Sequence, residues 1–388
     1  MIPELRSDFL LNPNVHHLNH GSFGACPRPV FEEYQRLQLE LERDTVQAFA
    51  VRGPEKLAQA REALGAYIGC HADDVVYVTN PSYAFNIIAK SFPLSEGDEI
   101  LTTDLEYGAM DRTWQYYCRK AGARYVRMPV QLPVADSQTI VDDLFSGLSP
   151  RTRAVFISHI TSTTALRLPV EAICARAKEL GLITMVDSAH VPGHIPLDLR
   201  TLGADICTGA CHKWMLTPKG SSFLYVKREL QHMFDPLIIS WGYESTMPSH
   251  SQFIDWHQLQ GTRDISAFLA TPRAIQYLSD HDWPTVARTC RQAVQAHAHA
   301  FAEAAGGMLL APVTDEFMGQ MCSIRIHCTD PMALQRHLYA RHRIEIPVMP
   351  HGGHTYIRYS INAYNNEADL QVLFAALRQT RAETGLLG

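Results

Sequence analysis

The feature that most restricts the fold lies between residues 75 and 187, where short, near-continuous apolar stretches alternate with segments of helical spacing. Val75 to Thr79 (VVYVT), Glu99 to Thr103, Arg124 to Met128, Ala154 to Ser158 (AVFIS) and Leu182 to Val186 (LITMV) have the length and composition of strands. Pro81 to Phe92 and about Ala109 to Ala121 read as helices between them. A further helix opens at Pro169, places Val170, Ile173, Ala177 and Leu180 on one face, and closes at Gly181. Strands without polar alternation are buried on both faces, and strands alternating with helices form a mostly parallel sheet covered by helices. Ligands of such sheets sit outside the carboxyl ends of the strands. Ser82, Glu106, Ser158 and Asp187 are therefore expected to emerge there.

Near residue 270 the pattern changes. Thr271 to Leu278 and Trp283 to Ala305 read as helices, Gly306-Gly307 is a break, and Cys322 to His327 alternates like a half-buried strand. A helix over Pro331 to Arg341 and a strand pair around Ile344 and Tyr356 to Ile361 follow, which suggests a smaller α+β domain. Pro347 to His354 (PVMPHGGH) is the most loop-like C-terminal stretch.

Composition narrows the function. The chain has 388 residues and a formal charge of -6, with Lys and Arg scattered among acids, so it carries no electrostatic footprint for nucleic acid or an anionic membrane. No apolar run approaches a bilayer span, and MIPELRSDFLLNPN lacks a signal pattern, so a soluble, intracellular protein is expected. The nine cysteines are dispersed without a Cys-x-x-Cys pair, which suggests neither a disulfide framework nor a zinc ribbon. His297 and His299 lack ligand spacing on a helix, so no metal is expected.

The sharpest chemical signal is Ala210-Cys211-His212-Lys213-Trp214. A lysine among Cys, Trp, Met and Leu is desolvated and pushed toward a nucleophilic amine, suited to a Schiff base with an aldehyde cofactor. A partly exposed lysine beside an interface tryptophan fits the same residues. In Val186-Asp187-Ser188-Ala189-His190 a carboxylate ends an apolar strand, where it can keep a heterocyclic nitrogen protonated; it can equally cap the next helix. Thr79-Asn80-Pro81-Ser82-Tyr83-Ala84 is a strand-to-helix turn whose N–H groups and Ser82 hydroxyl can cradle a phosphate, without a glycine-rich fingerprint. Tyr107, in Leu105-Glu106-Tyr107, can stack on a flat heterocycle or be an ordinary half-buried tyrosine. Arg358, inside the apolar Tyr356-Ile357-Arg358-Tyr359-Ser360, requires an anion, either a substrate carboxylate or an internal Asp or Glu.

Together these motifs resemble the class V aminotransferase family, and within it the isopenicillin-N-epimerase-like branch. The resemblance covers almost the whole chain, from Leu18-Asn19-His20-Gly21-Ser22-Phe23-Gly24-Ala25-Cys26-Pro27 through the Asp187 and Lys213 motifs and Gly261-Thr262-Arg263-Asp264 to Arg358. It implies a pyridoxal-phosphate fold type I enzyme: an α/β fold with a mostly parallel sheet of seven strands covered by helices, plus a smaller C-terminal α+β domain. An N-terminal arm (1–20), a large cofactor-binding domain (21–265) and a small domain (266–388) follow. By resemblance Lys213 carries pyridoxal 5'-phosphate as a Schiff base, Asp187 pairs with the pyridine nitrogen and His190 faces the phenolic oxygen. Ser82, His212 and the amides near Pro81 hold the phosphate, Tyr107 stacks on the ring, and Arg358 binds the substrate carboxylate. Thr262 would reach the phosphate of a neighbouring subunit, which implies a homodimer with shared active sites; the composition makes a cytoplasmic location the expectation.

The reaction is read from the acids and bases. Epimerisation removes a Cα proton on one face and returns one on the other, tasks that Lys213 and Tyr107 could divide. Cysteine desulfurases of the same superfamily need a mobile cysteine shortly before the carboxylate-binding arginine and usually carry histidine where this chain has Tyr107. Pro347 to His354 holds no cysteine, whereas Cys322 and Cys328 lie on or beside an earlier strand. An epimerase or racemase is the leading expectation; a β-eliminating C–S lyase, a cysteine-desulfurase-like enzyme and a class V aminotransferase are alternatives. A fold kept only as a regulatory module would have lost Lys213 or Asp187, and both are present.

Overall fold

Seven strands build the main sheet of the computed structural model, which describes residues 3–388. They are β1 (Val75–Val78), β2 (Glu99–Thr103), β3 (Arg124–Met128), β4 (Thr152–Ser158), β5 (Ile183–Asp187), β6 (Ile206–Gly209) and β7 (Ser222–Val226), in the order β1-β7-β6-β5-β4-β2-β3. β7 runs antiparallel to both its neighbours, and the other contacts are parallel. In β1, β2, β6 and β7 every residue is buried, which explains their unalternating sequences. The expected α/β architecture is present, with β6 and β7 as strands not anticipated from the sequence.

A second sheet of four strands contains β8 (Met308–Leu309), β9 (Met321–Ile326), β10 (Val348–His351) and β11 (His354–Ser360), in the antiparallel order β10-β11-β9-β8. Two expectations fail here. The stretch 347–354 forms most of a hairpin, because Gly352 (φ 56°) and Gly353 (φ 78°) supply the left-handed pair that a tight two-residue turn demands. Pro350 is tolerated because β10 is an edge strand. Ile344–Glu345 does not pair with the Tyr356 strand but lies parallel to His16–His17, so the N-terminal segment is tied to the C-terminal half. The first two residues of the expected 1–20 arm lie outside the described residues.

The helix Trp283–Ala305 packs on β9 and on the helix Glu367–Glu383. Helices Ser266–Leu269 and Thr271–Asp280 pack on Arg28–Arg43 and Gly53–Ile68, so contacts cross the expected boundary at 266. Among the described residues, no helix is long and apolar enough to cross a membrane.

Candidate active site

The parallel strands β2, β4 and β5 and the helix Pro81–Ser91 present their chemistry at one end of the large sheet. Ser158 and Asp187 are cross-strand partners at the carboxyl ends of β4 and β5, so they leave the sheet side by side. A cavity of about 480 Å³ opens there, lined by Ser82, Tyr107, Asp187, His190, His212 and Lys213 among others. Pro81 also lines it; Thr262 and Arg358 do not. Thr262 is exposed on the loop before Ser266–Leu269, away from the cavity of its own chain.

Asn80 caps the helix by accepting from the Tyr83 N–H at 2.8 Å, and Pro81 at the first helical position has no N–H to satisfy. The Ser82 N–H is left at the positive end of the helix, facing the cavity with its hydroxyl. His212 is fixed by its Nδ1–H, which donates to the Ser221 carbonyl at 3.0 Å; burial pushes its ring down to about 4.

Asp187 is buried, and among the described residues the one hydrogen bond to its carboxylate comes from the Ala189 N–H at 2.8 Å. Among the described residues no cation pairs with it within 4 Å, and burial raises its carboxyl to about 6, against the pull of Lys213. Lys213 Nζ lies 3.2 Å from His190 Nε2, and desolvation brings the amine down to about 8. The backbone of the lysine is held from the N-terminal segment: the His20 Nε2–H donates to the Lys213 carbonyl at 3.1 Å, and the Tyr364 hydroxyl donates to His20 Nδ1. Gly24, at φ 68°, passes so close that a Cβ would collide with the His212 carbonyl and with Lys213. That contact accounts for the glycine closing His20-Gly21-Ser22-Phe23-Gly24.

Glu106 does not emerge into the cavity as expected. It is 2 % exposed and turned back onto the sheet, where it accepts from the Ser158 N–H at 2.9 Å, the Ser158 hydroxyl at 2.5 Å and the Thr103 hydroxyl at 2.7 Å. Burial, reinforced by Asp187 and opposed by these donors, raises it to about 8. It brackets two strand ends, and the next residue, Tyr107, is thereby presented to the cavity at 47 % exposure, just before the helix Gly108–Ala121.

Arg358 is 2 % exposed. Its guanidinium donates to the Ser162 carbonyl and, at 3.5 Å, to the Ser22 hydroxyl, and both serines line the cavity. No Asp or Glu among the described residues pairs with it, so the internal carboxylate left open by the sequence is absent. Burial alone lowers it to about 10. His20, Ser22, Ser162 and the Trp214 indole are site residues that motif reading left without roles.

The sequence profile of the family described as Aminotransferase class-V matches residues 27–373. This chain belongs to the class-V aminotransferase family. An isopenicillin N epimerase of Streptomyces clavuligerus is 34% identical to this class-V chain over 96% of it and 97% of that protein. Among solved structures, a cysteine desulfurase from Thermococcus onnurineus superposes with a TM-score of 0.84 at 20% identity, covering 98% of each chain. A C-DES mutant with glycine covalently linked to its PLP cofactor superposes equally well at 20% identity, covering 96% of this chain and 98% of that one. These two likenesses carry the fold, type I of the pyridoxal-phosphate enzymes.

The cofactor of this class-V enzyme is pyridoxal 5'-phosphate, and the cavity fits it. An amine of lowered basicity, a buried carboxyl lacking a cationic partner and a helix start offering N–H and hydroxyl donors face one space. They match an aldehyde, a ring nitrogen and a phosphate.

Proposed function

We propose that this enzyme is an epimerase or racemase that inverts the Cα of an amino-acid substrate, in the manner of its isopenicillin N epimerase relative. One observation carries the reading: an amine and a phenol, Lys213 and Tyr107, line a single cavity, and Arg358 lies directly behind its lining residues Ser22 and Ser162 without a carboxylate partner. A guanidinium kept that dry calls for an anion, and an α-carboxylate satisfies it.

Pyridoxal phosphate, when bound, draws electrons out of the bonds at the substrate's Cα. Lys213 would hold the cofactor covalently through Nζ, and Asp187 would keep the ring nitrogen protonated. His190 would donate to the phenolic oxygen; Ser82, the amides following Pro81 and His212 would hold the phosphate; and Tyr107 would cover the ring. Arg358 fixes the substrate by its carboxylate. With the substrate's amino group in its place on the cofactor, Lys213 Nζ would be released as a free amine able to take the Cα proton on one face, which its lowered basicity permits. Tyr107 Oη supplies a proton on the other.

Persulfide chemistry is disfavoured. No cysteine lines the cavity, β10 and β11 contain none, and Cys322 on β9 is fully buried, which pushes its thiol far up. A β-eliminating lyase or an aminotransferase would share the cofactor residues, so the products decide between them. Incubated in D₂O with isopenicillin N and a panel of L-amino acids, the enzyme is expected to place deuterium at Cα and yield the opposite stereoisomer. Tyr107→Phe should then lose inversion while Lys213-dependent exchange persists. Pyruvate from a cysteine conjugate, with no inverted product from any substrate, would replace this reading with the lyase.

The reading extends to a cytoplasmic homodimer in which Thr262 reaches the phosphate of the second copy. Its support is that Thr262 lies outside its own chain's cavity and that the segment 238–247 exposes Ile239, Trp241 and Met247. An active monomer in sedimentation at assay concentration would refute it.

A further inference from the structure

His190 stands between two nitrogen groups, and only one arrangement of its proton satisfies both. The Trp214 indole N–H can only donate, and it points at His190 Nδ1 from 3.3 Å. Nδ1 must therefore be the bare, accepting nitrogen, because a proton there would set two N–H groups against each other. The ring is neutral, since burial and the nearby Lys213, Arg358, His194 and His20 all hold its basicity well below the ordinary histidine range. Its one N–H is consequently on Nε2, aimed at Lys213 Nζ 3.2 Å away.

The indole has little freedom to release this constraint. It is 1 % exposed, stacked on His194 with ring centres 4.0 Å apart and packed against His20 at 4.7 Å. Both neighbouring rings have their own nitrogens assigned. The His194 Nδ1–H donates to the His190 carbonyl at 2.7 Å, and its Nε2 accepts from the Gln320 N–H. His20 donates to the Lys213 carbonyl and accepts from Tyr364.

We propose that Trp214 is a positioning residue that locks His190 in the Nε2–H tautomer, so that Lys213 meets a donor and its neutral amine is favoured over the ammonium. An ammonium in that place would face the Nε2–H with no lone pair to bond. The inference rests on Lys213 being the reactive amine of the proposed function. The other charged groups facing Lys213 are Asp187, which favours its ammonium form, and Arg358, which opposes it. Trp214 tips this balance through His190 without touching Lys213's amine. Once cofactor is bound, the same locked N–H is a fixed donor toward its phenolic oxygen.

The test is the titration of Lys213 in full-length, cofactor-free protein, read by trace acetylation with acetic anhydride and mass spectrometry of the Lys213 peptide. The wild type should become half-reactive near the value of about 8 that burial imposes. Trp214→Phe frees His190 to turn its bare nitrogen toward an ammonium, so the midpoint should rise by about one unit and labelling at neutral pH should slow roughly tenfold. In a His190→Leu background, Trp214→Phe should produce no further shift. An unchanged midpoint in Trp214→Phe, or an equal shift with and without His190, would overturn the lock and leave Trp214 a packing residue. Should Trp214→Phe fail to fold by circular dichroism, His190→Gln takes its place. The Gln oxygen can accept from Trp214 while its NH₂ donates to Lys213, so the midpoint should stay near the wild-type value, and a rise of a full unit would contradict the proposal. If Lys213 is not the cofactor lysine, borohydride reduction of the holoenzyme will label another residue, an outcome distinct from any of these.

Discussion

The two sheets place charge around one cavity differently, the large sheet in its lining and the small sheet behind the lining serines Ser22 and Ser162. At the large sheet, Asp187 ends β5 and Lys213 stands on the loop between β6 and β7, so both groups project from chain that has just left a strand. Their basicities are displaced toward neutrality, to about 6 and about 8. In the small sheet, Arg358 lies within β11, opposite Ser323 of β9, and its guanidinium meets only a carbonyl and a hydroxyl. Burial lowers it to about 10, still far above neutral pH, so it stays a cation. The large sheet thus carries groups able to gain or lose a proton, and the small sheet a fixed charge suited to holding an anion.

Asp187→Asn gives the largest expected effect. An amide cannot hold the ring nitrogen protonated, so turnover should fall by ~10²–10⁴-fold with the absorbance of bound cofactor altered. The same variant has a signature in stability. Folding raises this carboxyl from 3.8 to about 6, so the folded state of the cofactor-free protein binds the proton more tightly. That contribution is complete below the unfolded value and is lost as pH rises through about 6. The unfolding free energy of the wild type from urea titration should decline across that window, by up to about 3 kcal/mol, and Asp187→Asn should flatten the decline. Near-normal turnover would remove the distinction between the sheets.

Arg358→Leu should act on binding. Losing a charge-assisted bond to the substrate carboxylate is worth about 1.5–3 kcal/mol, or ~10–150-fold in kcat/KM, with the visible spectrum of bound cofactor kept. A changed spectrum with unchanged KM would place Arg358 on the cofactor side and break the comparison. The smallest effect belongs to the turn of the hairpin that carries Arg358. Gly352→Ala puts a Cβ on a left-handed residue with open space around it, so about 1–2 kcal/mol of stability should be lost in urea titration. Activity should be little changed where the protein remains folded.

The large sheet was the more legible half for a physical reason. Strands buried on both faces read as apolar-rich runs without polar alternation, so β1, β2, β4 and β5 stand out, and with them the strand ends where Ser158 and Asp187 emerge. β6 is four residues with Thr and Gly inside, and no helical segment separates the Lys213 loop from β7, so neither strand announces itself by alternation. β10 was hidden by Pro350 and the glycine pair, residues that signal a loop unless the turn they build is weighed against an edge strand. Glu106 stands at a strand end like Asp187, yet it turns inward because Thr103 and Ser158 offer three donors. Local sequence does not display those partners. The contact of Trp214 with His190 depends on two loops meeting across the sheet, which no spacing rule encodes.

The central claim is that Lys213 carries the cofactor, and borohydride reduction tests it most directly. The purified holoenzyme should be yellow, lose its visible band on reduction, and yield one peptide bearing the reduced cofactor on Lys213 by mass spectrometry. Lys213→Ala should give no such adduct under the same treatment. An adduct on any other lysine, or a wild-type protein whose visible band survives reduction, would contradict the account.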